Sequence, residues 1–328
     1  MAEKKIGKVI YRQAFSPLLE LFRITPHDGS VFPDYLAGQY IALSRDNCRL
    51  TKKILGANGE VRYSYDLDES GNPRSGTVTH SYSISSAPVE TKEKGYLEFY
   101  VVLEMIETAM PGRLSESLFH IDPETDSSLT YVNKIVGDFT LEKRAAGFQN
   151  VVMVGTGTGL APFASMIKQL HHEAAGGSRP AVRYTLLHAN RTFEELGYHR
   201  EFLDIEESHK FDFVYVPSVS RPTRRDREDP TVGIGRANNV LRFLFGMPLK
   251  EQEDLEEALK RGEDGSDARR VLEKTVAPVL TNHHSREEIL ERMDPQTTVI
   301  LTCGNPNVME DIKFISESRG IRFEKEEW

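Results

Sequence analysis

VVMVGTGTGLAPF, residues 151–163, is the stretch on which the reading of this chain turns. An apolar run breaks into alternating glycines, Gly155, Gly157 and Gly159, and passes into a helical pattern that carries Ser165, Met166, Ile167 and Leu170. A turn of this kind lets backbone approach a pyrophosphate closely. The helix behind it points unpaired N–H groups and a positive dipole end at the anion. The spacing, G-x-G-x-G-x-x-P, differs from the G-x-G-x-x-G of the commonest dinucleotide-binding units. Taken alone, the motif has a plainer alternative, a glycine-rich strand-to-helix turn that holds no phosphate.

The flanking sequence predicts two domains, as a length of 328 residues also does, and 39% hydrophobic residues suffice to cover a core in each. Up to about residue 145 the chain alternates in short stretches such as IGKVIYRQAF, LELFRI, QYIALS and YLEFYVVLE, separated by Gly, Pro, Asn and Asp turns. This predicts an antiparallel β-barrel. From 151 to 245, strand-like runs (VVMVG, AVRYTLLHA, DFVYVPSVS) alternate with helical ones, which predicts a parallel α/β sheet. The boundary is placed within AAGFQN (145–150), ahead of the first strand of the second domain, giving a barrel over 1–147 and an α/β domain over 148–328. Two segments exceed a compact arrangement of this type. Residues 45–79 are polar and contain the strand-like EVRYSYDL, the pattern of a protruding hairpin. Residues 246–296 contain KEQEDLEEALKRG, ARRVLEKTVAPVL and SREEILERM, each with apolar residues at three and four spacing, the pattern of small amphipathic helices. These charged helices read either as a solvated insertion or as a docking surface for a partner or second subunit.

Charge and cysteine usage exclude several functions. A formal charge of −9 and a pI near 5.7 argue against a nucleic-acid surface. The chain has no apolar run of ~18 residues for a membrane span and no charged-then-apolar leader, so a cytoplasmic location is expected. Its two cysteines, Cys48 and Cys303, provide neither a disulfide framework nor four thiolates for an iron–sulfur cluster. The adjacent pairs His171/His172 and His283/His284 do not share a helix face, so no metal site is expected.

Further motifs recur in a definite order: AGQYIAL (37–43), HSYSISS (80–86), LEFYVVL (97–103), PGRLSESL (111–118), GDFTL (137–141), LLHANR (186–191), PSVSR (217–221) and CGNP (303–306). With the glycine turn, this set resembles the ferredoxin-NADP reductase family, and most of all its bacterial ferredoxin or flavodoxin reductases. The resemblance spans about 6–245 and 297–328. It implies a flavoprotein that binds FAD and NADP, moves a hydride between the nicotinamide C4 and the flavin N5, and exchanges single electrons with ferredoxin or flavodoxin. The cofactors carry the chemistry and the protein supplies orientation.

Site residues follow from the resemblance. Tyr82 would lie against the isoalloxazine and Ser83 would hydrogen-bond near N5. Tyr100, Val101 and Val102 would line the flavin dinucleotide, and Gly112 and Ser115 would hold its pyrophosphate. Gly155, Thr156, Gly157, Thr158 and Gly159 would hold the nicotinamide pyrophosphate, with Arg191, Ser220, Arg221 and Arg236 on the 2′-phosphate that distinguishes NADP from NAD. Cys303, followed by Gly304, would lie beside the nicotinamide C4, with Glu326 as an acid near the site and Trp328 as a covering ring. Ser83, Cys303 and Glu326 are the catalytic candidates.

The sequence departs from the family pattern at two places. The arginine expected before x-Y-S is His80, whose neutral imidazole holds a pyrophosphate less strongly than a guanidinium does. Arg113 is the neighbour able to compensate. FMN is the alternative at this position, while the retained G-x-x-S turn favours FAD. The tyrosine that usually precedes or ends the C-terminus in relatives is absent. Two other readings stand beside the first: an NADH-dependent flavin reductase feeding another carrier or an oxygenase, and an electron-transfer subunit that uses 246–296 as its interface.

Overall fold

The alternating sequences of β1 (Lys4–Ser16) and β2 (Leu19–Pro26) form an antiparallel hairpin that begins a six-stranded sheet. The computed structural model describes residues 3–55, 60–107, 110–177 and 181–326, and the chain divides into two units, Met1–Asp138 and Phe139–Trp328. In the first unit, β3 (Tyr40–Arg49), β4 (Thr51–Leu55), β5 (Val61–Tyr65) and β6 (Ser75–Ser83) follow. Next come α1 (Pro88–Lys94), β7 (Leu97–Val102), the short strands β8 (Met105–Glu107) and β9 (Met110–Pro111), α2 (Arg113–Phe119) and β10 (Ser128–Val132). The sheet order is β6-β3-β10-β1-β2-β7, antiparallel throughout. Register shifts in β1 and β3 mark bulges, which bend strands and allow a sheet to curl. The edges β6 and β7 do not form a ladder. Just beyond β6, however, the Ser85 N–H donates to Glu98 O at 2.8 Å and the Glu98 N–H donates to Ser86 Oγ at 3.1 Å, which bridges the seam. Phe22, Ile24, Ile41, Leu43, Phe99 and Tyr131 lie in the enclosed core. The barrel class expected from the strand pattern is the observed one.

The segment 45–79 carries the β4–β5 hairpin, in which Thr51 faces Tyr65 and Leu55 faces Val61. Its base is held by the Arg49–Glu116 ion pair, with the Arg49 guanidinium over the Tyr65 ring.

The second unit opens with α3 (Leu141–Arg144) and β11 (Asn150–Thr156), then a 3-10 turn (Gly157–Leu160) and α4 (Ala161–Ala175). β12 (Arg183–Asn190), α5 (His199–Glu207), β13 (Phe213–Val219), α6 (Arg224–Glu228), β14 (Gly233–Ile234) and α7 (Ala237–Leu244) follow. The unit closes with α8 (Lys250–Lys260), α9 (Ser266–Lys274), α10 (Arg286–Leu290), β15 (Thr298–Cys303), α11 (Pro306–Ser318) and β16 (Arg322–Lys325). All six strands are parallel, in the order β14-β13-β12-β11-β15-β16. Near-continuous apolar runs such as VVMVG and VILTC are buried along their length, as strands covered on both faces must be. One face packs Val152, Val154 and Ile300 against Leu241 of α7 and Ile312 of α11. On the other, His188 and Tyr215 meet Phe202 of α5 edge-on or tilted.

The units divide between Asp138 and Phe139, earlier in the chain than the 147/148 boundary placed from sequence. The reason is contact: the Phe139 ring meets Phe163 at 5.7 Å, and Arg144 pairs with Glu324 at 3.0 Å. Within 246–296 the helices form as read, except that ARRVLEKTVAPVL is helical only to Lys274. A proline disfavours helix at the residue before it. The chain instead runs extended past Pro278, and Val279 exchanges backbone hydrogen bonds of 2.7 and 2.9 Å with Ile234, covering the edge strand β14. The insertion therefore completes the sheet as well as meeting solvent.

Candidate functional site

In a parallel sheet every strand ends on the same edge, and five sequence motifs lie at five of those ends: GTGTG after β11, HANR on β12, VSR on β13, GIGR at β14 and CGNP after β15. The chain leaves β11 for β12 on one side and returns at β15 on the other, so the strand order reverses between β11 and β15. Ligand crevices of open α/β sheets form at this switch point, outside the carboxyl ends.

The glycines of the turn do different jobs. A Cβ on Gly159 would lie 2.1 Å from Cys303 O and 2.5 Å from Gly304 N. On Gly304 (φ 132°) it would lie 2.1 Å from Thr156 Oγ1. On Gly155 it would meet Leu160 Cα at 3.2 Å. Gly159 and Gly304 let the β11 and β15 turns pack closely against each other, Gly155 lets the β11 turn fold back on Leu160, and the Asn305 N–H closes the joint by donating to Thr156 Oγ1 at 3.1 Å. Gly157 alone (φ 56°) has open space where a side chain would project. Gly157 and Thr158, half-buried, are thus the part of the turn turned outward, at the head of a 15-residue helix whose N-cap has no side-chain hydrogen bond. The structure brings Gly155, Thr156, Gly159, Cys303 and Gly304 together, and the Thr156 hydroxyl is already engaged.

Cys303 is fully buried, and its Sγ donates to Glu326 Oε2 at 2.9 Å. Glu326 is positioned by its N–H bond to Thr302 O at 3.0 Å. Burial, reinforced by the Glu326 carboxylate, pushes the Cys303 thiol well above its ordinary range. It is therefore a neutral thiol that donates a hydrogen bond, not a thiolate nucleophile. Trp328 lies outside the described residues.

At the outer strands, backbone hydrogen bonds bring the cationic motifs side by side. The Arg221 N–H donates to Arg191 O at 2.8 Å, the Ser220 N–H to Asn190 O at 2.9 Å and the Gly235 N–H to Val219 O at 2.9 Å, so Arg191, Ser220, Arg221 and Arg236 share one rim. Their side chains differ. Both oxygens of buried Glu195 engage the Arg191 guanidinium, with Nε to Oε2 at 2.7 Å. Arg236 Nη1 donates to Glu251 Oε1 at 2.9 Å. Arg221 is exposed and has no carboxylate partner among the described residues. Neighbouring Arg224 pairs with Glu228 and Arg225 lies over the Phe193 ring, while Asp226 closes a capping box with Thr223. Glu195 was legible as an acid four residues beyond Arg191. Glu251 carried no such signal, because it arrives from a helix that the sequence leaves free to be solvated.

In the first unit, Tyr82 is half-buried against the barrel core, and burial followed by the charge of Glu104 raises its phenol above the ordinary range. Ser83, Tyr100 and Val101 are buried and Val102 is half-buried; Tyr100 meets Phe15 edge-on at 5.6 Å. Gly112 caps α2, and its N–H donates to Glu104 O at 2.7 Å. Ser115 Oγ donates to Gly112 O and accepts from the Glu104 N–H, both at 3.2 Å. The Ser115 hydroxyl therefore shapes the turn. His80 is exposed on β6, and Arg113, the first residue of α2, has no ion-pair partner among the described residues.

Residues 153–242 match the family model of the oxidoreductase NAD-binding domain. No curated protein matches the chain. Among solved structures, the ferredoxin NADP+ reductase from Neisseria gonorrhoeae, with bound FAD and NADP, has 18% sequence identity and a TM-score of 0.58 over 99% of each chain. The FAD/NAD-binding domain of nitric oxide dioxygenase from Vibrio cholerae has 16% identity and a TM-score of 0.58, over 98% of this chain and 97% of that one. The flavohemoglobin from Malassezia yamatoensis, with bound FAD and heme, has 12% identity and a TM-score of 0.59; all of this chain aligns, to 61% of that one. Among the described residues no helix is long and apolar enough to cross a membrane. The chain carries an oxidoreductase NAD-binding domain within the two-domain fold of the ferredoxin-NADP reductases and their structural relatives.

Proposed function

We propose that this protein is an FAD-dependent NADPH reductase that delivers electrons singly to a ferredoxin or flavodoxin. The carrying observation is the convergence of the glycine turn, the Cys303–Gly304 strand end and the arginine rim on one edge of the parallel sheet, at its switch point. The FAD bound in the gonococcal and Malassezia structures supports the flavin assignment, and the NADP bound in the former supports the donor. The barrel residues fit a flavin nucleotide: Tyr82 offers a flat ring, and Arg113 at the head of α2, which has no ion-pair partner among the described residues, supplies a guanidinium where position 80 has none. Flavin, when bound, accepts two electrons together and releases them one at a time.

This chain's own residues bind and orient. Gly157 and Thr158 offer backbone N–H groups to the nicotinamide pyrophosphate. Arg221 meets the 2′-phosphate. Cys303, held as a thiol by Glu326, presents a small neutral group at the strand end, where a ring must lie flat to react. A second reading, NADH as donor, is favoured by the carboxylates that pair with Arg191 and Arg236.

The purified protein is expected to release FAD on acid treatment, and its flavin band to bleach with NADPH at lower concentration than with NADH. Recovery of FMN alone, or failure to bind added FAD, would remove the flavin assignment. Arg221→Ala is expected to weaken NADPH roughly ten- to a hundredfold, because a hydrogen bond to a charged group contributes roughly 1.5–3 kcal/mol. NADH has no 2′-phosphate and should change little. Steady-state constants for both donors decide between the readings: equal penalties, or a wild-type preference for NADH, make NADH the donor.

A further inference from the structure

The insertion helix α8 delivers Glu251 to Arg236, and the placement is built with care for every polar atom. Glu251 is 4% exposed. Its Oε1 accepts from Arg236 Nη1 at 2.9 Å and its Oε2 accepts from Asn239 Nδ2 at 2.7 Å. Asn239 is fully buried, and its own Oδ1 accepts from the Lys250 N–H at 3.0 Å, tying the first turn of α8 to the first turn of α7. Arg236 remains 51% exposed at the N-cap of α7, on the rim it shares with Arg221. Its charge is thus balanced from inside the protein while its outer surface stays open to a ligand. Arg191 is balanced in the same way by Glu195.

We propose that Glu251 is a specificity-determining residue: by neutralising Arg236 it leaves recognition of a nucleotide 2′-phosphate to Arg221, and so sets how strongly the protein prefers a 2′-phosphorylated donor. The proposal rests on the reading of the rim as a nicotinamide-nucleotide site. A dianionic phosphate approaching Arg236 meets an arginine whose nearest counter-charge is a fixed carboxylate, and attraction to one is offset by repulsion from the other. A nucleotide with a free 2′-hydroxyl experiences neither.

The test uses 2′,5′-ADP and 5′-ADP as probes of the full-length protein, read by titration calorimetry without turnover. Glu251→Gln, which keeps an acceptor for Arg236 and removes the charge, is expected to tighten 2′,5′-ADP about fivefold and leave 5′-ADP unchanged, the size of one partly exposed ion pair. Arg236→Ala should cost several-fold more 2′,5′-ADP affinity in the Glu251→Gln background than in the otherwise wild-type chain. Should Glu251→Gln fail to fold, single variants suffice: the loss on Arg221→Ala should exceed that on Arg236→Ala by about fivefold. Equal losses, or an equal response of both probes to Glu251→Gln, overturn the proposal. Failure of the wild-type protein to bind either probe overturns the nucleotide-site reading itself, and is thereby distinguished from failure of the role given to Glu251.

Discussion

Arg242→Met is expected to destabilise the second unit by about 3–5 kcal/mol, the cost of leaving a buried charge without its partner. Arg242 is fully buried. Its Nε and Nη2 grip both oxygens of Asp311 at 2.9 and 2.6 Å, Nη2 also pairs with Glu253 at 2.8 Å, and Nη1 donates to Pro248 O at 3.0 Å. One side chain therefore joins α7, α11 and the start of the insertion. Methionine fills most of the volume, which confines the loss to charge and hydrogen bonding. Chemical denaturation followed by far-UV circular dichroism measures it. Replacing both partners, as Arg242→Met/Asp311→Leu, should recover a large part, since an apolar pair of similar volume needs no desolvation. Recovery should stop short of wild type, because the Asn238 amide that donates to Asp311 at 2.8 Å and the Pro248 carbonyl lose their partners. A single substitution costing less than about 1 kcal/mol would mean that water reaches the Asp311 carboxylate.

Gly159→Ala is expected to destabilise the same unit toward the upper end of the roughly 1–3 kcal/mol typical of overpacking, and to slow donor oxidation by about 10²-fold. The added methyl would meet Cys303 O and C at 2.1 and 2.3 Å, and these are backbone atoms that no rotamer change can move. The β11 and β15 turns must separate, carrying Thr156, Gly304 and the thiol of Cys303 out of register. Gly157→Ala is the informative control. Its methyl meets open space, so the penalty there is the strain of a φ of 56°, about 1–2 kcal/mol, with no displacement of β15. Thermal unfolding and stopped-flow flavin reduction of the two variants separate clash from strain. Similar behaviour of the two would show that the turn, and not its contact with Cys303–Gly304, sets the geometry.

Periodicity and punctuation in the sequence were enough to distinguish the two architectures. Period-two alternation between Gly, Pro, Asn and Asp turns marks strands with one wet face, and apolar runs alternating with helical spacing mark strands covered on both. Those local patterns survive into the structure because burial acts on each strand in the same way wherever its neighbours lie. The five motifs of the second unit, too, were legible, since each sits at a strand end where the chain must turn.

Tertiary structure decided what those motifs do. Gly155 and Gly159 read as room for a pyrophosphate, yet a side chain on either would meet the protein's own backbone; for Gly159 that backbone is Cys303 and Gly304, and only the juxtaposition of β11 with β15, far apart in sequence, reveals it. Arg191, Arg221 and Arg236 read as three equivalent cations. Charge compensation divides them, and Glu251 reaches Arg236 from a helix whose surface pattern says nothing of its first turn. TVAPVL reads as helix until Pro278 and the open edge of β14 draw it into an extended path. Spacing along a chain specifies which groups can lie on one face of one element. Which carboxylate neutralises which arginine depends on distances of a few ångströms between elements, and only packing sets those.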